Sequence, residues 1–146
     1  MEIVLQDLEA TKVFAERIVQ EALSIPHPDS AYLIALSGEL GAGKTTFVQS
    51  FARTLGITET IQSPTFVLMK FYYTNLSWPK RIVHIDAYRL EGFSALQPLG
   101  WEEIVKNKDT LILLEWPECV APLVPDPDRT ITLSVLESGG RQALLS

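Results

Sequence analysis

The chain has 146 residues, 47% of them hydrophobic, enough for one well-buried core and too few for two ordinary domains. Twelve basic residues against eighteen acidic ones give a formal charge of -6, and Lys80-Arg81 is the only adjacent basic pair, so unaided binding to RNA or DNA is disfavoured. Cys119 is the single cysteine, which excludes an intrachain disulfide and a cysteine zinc site; no apolar run approaches the ~20 residues of a membrane span, and a soluble, unexported, cytoplasmic protein is expected.

Glu2 to Leu5 reads as a short strand, and Asp7 can cap a helix whose apolar face is Phe14, Ile18, Ala22 and Ile25. Pro26 and Pro28 cannot continue that helix, and His27 between them reads as a surface residue. Ala31 to Leu36 is an unbroken apolar run, the pattern of a buried strand. After it, Gly38-Glu39-Leu40-Gly41-Ala42-Gly43-Lys44-Thr45 satisfies the G-x-x-x-x-G-K-[ST] pattern of a phosphate-binding loop. Phe47, Val48, Phe51, Ala52 and Leu55 then recur at helical spacing, with Gly56 placed as a C-terminal cap.

The residue types in this loop explain its chemistry. Glycines permit positive φ and let successive N–H groups turn onto phosphate oxygens, while a helix starting near Lys44 aims its positive end at the same place. Lys44 would reach the β and γ phosphates, and the Thr45 hydroxyl suits a Mg²⁺ that bridges them. The candidate nucleotide-contacting set is Gly38, Glu39, Leu40, Gly41, Ala42, Gly43, Lys44, Thr45 and Thr46.

Ser63-Pro64-Thr65 has two readings of equal weight: a plain turn, or a loop facing the γ-phosphate in which Thr65 senses it. Phe66–Tyr73 and Arg81–Ala87 form an expected antiparallel hairpin with Trp78 covering its turn. Asp86, after Ile82-Val83-His84-Ile85, and Glu115, after Leu111-Ile112-Leu113-Leu114, are both strand-end carboxylates able to hold Mg²⁺ or its waters. Arg89 to Asp109 is expected to form short helices, including Trp101–Val105. Asn107-Lys108-Asp109 places its aspartate one residue too early for a guanine-binding motif. Val124–Asp128 reads as a stiff exposed loop, and Arg129–Leu136 with Arg141–Leu145 as a closing hairpin.

GELGAGKTTF, SPTF, HIDAYRL, LLEWPE and a late PDPD, in that order and spacing, resemble the TsaE (formerly YjeE) family of bacterial ATPases over nearly the whole chain. The resemblance implies a single compact α/β domain, residues 1–146, with a phosphate-loop NTPase-like mixed sheet flanked by helices. It implies ATP and Mg²⁺ as cofactors, and a role in threonylcarbamoyl modification of the adenosine beside the anticodon in tRNA. The implied partners are TsaB and TsaD, with tRNA met only through them and no DNA or membrane. It assigns Thr45 and Glu115 as metal-linked, Asp86 as a second acidic partner orienting water, Thr65 as the switch-like threonine, and Lys44 to the phosphates. Trp116 follows the metal-linked glutamate, with packing as its alternative role, and Glu39 stands where the family commonly has aspartate.

Besides Lys44, Arg89 and Arg141 are the nearest candidate cations for transition-state charge, so slow turnover without partners is expected. The competing reading is a small-molecule or nucleotide kinase, weakened because Arg89 to Asp109 offers only Arg89, Lys106 and Lys108 as clamp residues. A GTP switch protein is weaker still, given the misplaced Asn107-Lys108-Asp109.

Overall fold

The computed structural model describes residues 1–25, 29–61 and 68–146, so His27, Thr65 and its turn, and the start of the expected strand at Phe66 lie outside the described residues. Among the described residues seven strands make one mixed sheet: β1 (Glu2–Leu5), β2 (Tyr32–Ser37), β3 (Met69–Tyr73), β4 (Arg81–Asp86), β5 (Thr110–Glu115), β6 (Arg129–Val135) and β7 (Arg141–Leu145). Their spatial order is β1-β7-β6-β2-β5-β4-β3. The four central strands run parallel, and the outer pairings are antiparallel.

β2 and β5 are central and covered on both faces, which is why they read as continuous apolar runs instead of alternating ones. Helices α1 (Leu8–Ser24) and α2 (Lys44–Thr54) cover one face. Phe14, Ile18, Phe47 and Phe51 pack there against Ile34, Leu36 and Leu113, with Phe14 and Phe47 ring centroids 5.6 Å apart. Helix α3 (Trp101–Lys106) and the 3-10 segments Phe93–Leu99 and Pro117–Val120 cover Leu33, Val83, Ile85, Ile112 and Leu114 on the other.

Local signals set the helix ends. Asp7 accepts the Ala10 N–H at 2.8 Å, as an N-cap should. Helix α1 stops at Ser24, one residue short of the expected Ile25, which is extended (ψ 132) as the residue before a proline must be. Gly56 takes φ 85, and the N–H groups of Gly56 and Ile57 close onto the Arg53 and Ala52 carbonyls at 3.0 Å each, the paired bonds of a Schellman cap.

Two expectations need adjusting. The described hairpin strand begins at Met69, because Leu68 has φ 65 and breaks the extended run; its partner ends at Asp86. Helix α3 runs one residue past Val105. The Val124–Asp128 loop is exposed but tethered: the Asp128 carboxylate accepts the Leu33 N–H at 2.8 Å, and the Asp128 N–H donates to the Leu33 carbonyl at 2.8 Å. Trp78 covers its hairpin turn, meeting Tyr32 edge-on and donating its indole N–H to the Lys108 carbonyl at 2.8 Å.

Candidate functional site

β2 has parallel neighbours on both sides, β6 and β5, and its connections leave in opposite directions. In open α/β sheets this point, beyond the carboxyl ends of the strands, opens a crevice. Here it holds a cleft of about 430 Å³. The turn between Ser37 and Lys44 forms its floor. Gly38 has φ 145, and a Cβ at that position would collide with the Leu133 carbonyl oxygen of β6, so only glycine lets the turn leave the sheet here. Gly43, at φ 102, is the N-cap of α2 and offers no side chain to the first-turn N–H groups. Among the described residues no side chain caps those groups, and the helix dipole favours an anion.

Leu40, Gly41, Ala42, Gly43, Lys44, Thr45 and Thr46 line the cleft, with Leu40 on its rim. Gly38 and Glu39 instead turn their carbonyls to Lys44, whose Nζ donates to Gly38 O and, at 3.1 Å, to Glu39 O. Lys44 is buried, and its Nζ lies 4.2 Å from the centroid of the Trp116 ring. Burial pushes the ammonium pKa down, while the negative charges of Glu115, Asp86 and Glu118 push against that shift.

Register brings the two strand-end carboxylates together. Asp86 and Glu115 are Cα partners on β4 and β5, and Glu115 is also the partner of Leu36 on β2, so both acids stand beside the glycine turn. Both line the cleft. Asp86 accepts the Tyr88 N–H at 3.0 Å, and Glu115 is buried, with Oε2 held 2.5 Å from His84 Nε2. Trp116 has left-handed backbone (φ 61, ψ 53), a position rare for a bulky residue, which turns its ring over Lys44 and against Tyr88 at 4.8 Å.

Sequence reasoning missed the far wall of the cleft, formed by Leu5 to Leu8 and Thr11 together with the Gly139–Arg141 end of the β6–β7 hairpin. Asp7 was legible as a cap and Gly139-Gly140 as a turn, but nothing in their spacing places them together. Of the two spare cations considered, Arg141 lines the cleft, whereas Arg89 is exposed and outside the lining. Glu118, which accepts the Ser37 hydroxyl at 2.8 Å, and the buried His84 also went unsingled. His84 shares strand parity with Asp86, a signal that would have found it.

Among the described residues no three His, Cys, Asp or Glu side chains gather as a closed metal cage. The oxygens of Thr45, Glu115 and Asp86 nevertheless fit a phosphate-bound Mg²⁺, which takes one or two protein oxygens and keeps several waters. No described helix is long and apolar enough to cross a membrane.

A parallel-centred mixed sheet with a glycine turn leading from β2 into α2 defines an α/β protein of the phosphate-loop NTPase-like class. The family model described as "Threonylcarbamoyl adenosine biosynthesis protein TsaE" matches residues 5–143. The chain belongs to the TsaE family. Curated relatives named tRNA threonylcarbamoyladenosine biosynthesis protein TsaE include that of Treponema pallidum, 39% identical over 110 residues, covering 75% of this chain and 78% of the relative. The Haemophilus influenzae protein is 29% identical over 133 residues, 91% and 81% of the two chains. The Bacillus subtilis protein is 34% identical over 125 residues, 77% and 74%. A crystal structure of Bacillus subtilis YdiB superposes with a TM-score of 0.75 at 26% identity, covering 98% of this chain and 82% of that one.

Proposed function

We propose that this protein is a Mg²⁺-dependent ATPase that serves tRNA threonylcarbamoyladenosine biosynthesis as an accessory subunit to TsaB and TsaD. The observation that carries the ATPase reading is the cleft in which the N–H groups of the α2 start, uncapped among the described residues, converge with Lys44 and two register-matched carboxylates. The tRNA pathway rests on family membership.

The phosphates would lie against the amides of Gly41 and Gly43 to Thr46, with Lys44 exchanging the neutral carbonyls of Gly38 and Glu39 for charged phosphate oxygens, a stronger acceptor. The Thr45 hydroxyl and Glu115 would hold Mg²⁺, directly or through water, and when bound the metal supplies charge neutralisation on the β and γ oxygens. Asp86, which accepts the Tyr88 N–H and lines the cleft, would orient the attacking water. The base and sugar would occupy the far wall between the β1–α1 turn and Gly139–Arg141, since β7 is separated from β2 by one strand on the side away from Glu115. The scarcity of cations in the lining, Lys44 and Arg141, favours slow hydrolysis completed by a partner over a kinase with an arginine lid.

Calorimetry with ATP and GTP in magnesium, followed by single-turnover hydrolysis with and without TsaB and TsaD, tests this. The expected result is preference for ATP, phosphate released to water, and faster turnover in the assembled complex. Transfer of the γ-phosphate to an added acceptor, or a turnover rate for the isolated chain equal to that of the complex, would refute it.

A further inference from the structure

Beneath the cleft lies a buried polar pair. His84, inside β4, and Glu115, ending β5, are 0% and 3% exposed, and His84 Nε2 is 2.5 Å from Glu115 Oε2. Register explains why they meet: His84 is the partner of Leu113, which places Glu115 two residues further along on the same face of the neighbouring strand. The residues flanking His84 on that face and across from it include Ile82 and Leu113, both part of the apolar core. An apolar residue at 84 would continue that core without burying a ring that needs two hydrogen-bond partners.

The other ring nitrogen identifies the proton's place. His84 Nδ1 is buried and has no partner among the described residues. As the metal-linked carboxylate of the ATPase reading Glu115 only accepts, so Nε2 carries the hydrogen and donates to Oε2. The opposite tautomer would bury an unpaired N–H and set two lone pairs against each other at 2.5 Å. With Oε2 engaged, Oε1 is the oxygen Glu115 has left for the cleft it lines alongside Lys44 and Asp86.

We propose that His84 is a positioning residue for Glu115: its Nε2–H clamps Oε2 and commits Oε1 to the cation of a magnesium–nucleotide complex. The assignment rests on the ATPase reading above. Partners of this kind orient a metal-linked side chain, and their loss typically lowers metal affinity about 10- to 100-fold.

The test is ATP affinity of the full chain by calorimetry, in EDTA and in saturating magnesium, for the unmutated protein, His84→Leu and His84→Gln. His84→Leu is expected to leave affinity in EDTA within about twofold and to cut the magnesium-dependent gain about tenfold. His84→Gln, whose amide nitrogen reaches the place of Nε2, should restore most of it. An undiminished magnesium gain in His84→Leu, or equal losses with and without metal, would overturn the assignment while leaving the ATPase reading intact. An unmutated protein that gains nothing from magnesium would remove the metal reading and this assignment together. If His84→Leu does not fold, the unmutated protein decides the pairing by NMR. A far-downfield His84 Nε2–H resonance that shifts upfield in Glu115→Gln is expected, and one indifferent to that change overturns it.

Discussion

At the scale of the residue, Lys44 carries the largest burden. Its ammonium is buried, donates to two neutral carbonyls and sits under an aromatic ring, so it is held ready without a full counter-charge in direct contact. Phosphate oxygens would supply that charge. Lys44→Ala is expected to weaken ATP binding by about 100-fold or more, since hydrogen bonds to charged groups contribute roughly 1.5–3 kcal/mol each; calorimetry showing unchanged affinity would refute the role. Cys119 gives a second expectation. Burial pushes its thiol pKa up, and the charges of Glu118 and Asp86 push the same way. The reactive thiolate is therefore scarce at neutral pH. Iodoacetamide labelling followed by mass spectrometry should run slower at pH 8 than for an unperturbed thiol, and its rate should keep rising with pH beyond the usual cysteine midpoint.

At the scale of the element, the glycine turn shows how two physical reasons select one residue type. Gly41 needs its left-handed φ of 81 but has no atom within 4 Å of where a Cβ would stand, whereas Gly38 faces the backbone of β6 directly. Gly41→Ala should therefore cost about 1–2 kcal/mol for the conformation alone. Gly38→Ala should cost more, by an additional ~1–3 kcal/mol, because the obstacle is main chain and cannot rotate away. Urea unfolding of both variants compares them, and equal losses would contradict the contact with Leu133. The same scale explains which elements were legible beforehand. The phosphate-loop pattern, the Asp7 cap and the Gly56 cap are local: each depends on residues within a few positions, and each is found where its spacing puts it. Leu68 was not legible as a strand breaker, since its positive φ has no glycine or asparagine to announce it.

At the scale of the whole molecule, charge and linkage lead. A -6 chain has little with which to displace counterions from a polyanion, so the isolated protein should show almost no tRNA retention at physiological salt; submicromolar binding in a filter assay would contradict this. Lys44 also links stability to pH. Its folded-state pKa lies below the unfolded one, so the charged form penalises the fold, fully so below the folded value. As pH rises from the folded value towards the ordinary lysine value, the unfolded chain binds the extra proton and the penalty fades. Unfolding free energy of the unmutated protein relative to Lys44→Ala should therefore increase with pH across that window, and a flat or falling difference would contradict it.

The sequence by itself determined the glycine turn between strand and helix, the two acidic strand ends and the caps, because each is written in short-range spacing and residue type, and its ordered motifs implied the fold class through the family resemblance. Only the tertiary structure decided that Asp86 and Glu115 stand side by side, that His84 holds Glu115, that Trp116 lies over Lys44, and that the two ends of the chain build the far wall of the cleft. Those facts depend on the order in which seven strands lie next to one another. Strand order is set by which apolar faces bury together across the whole chain, and no local stretch of residues contains it.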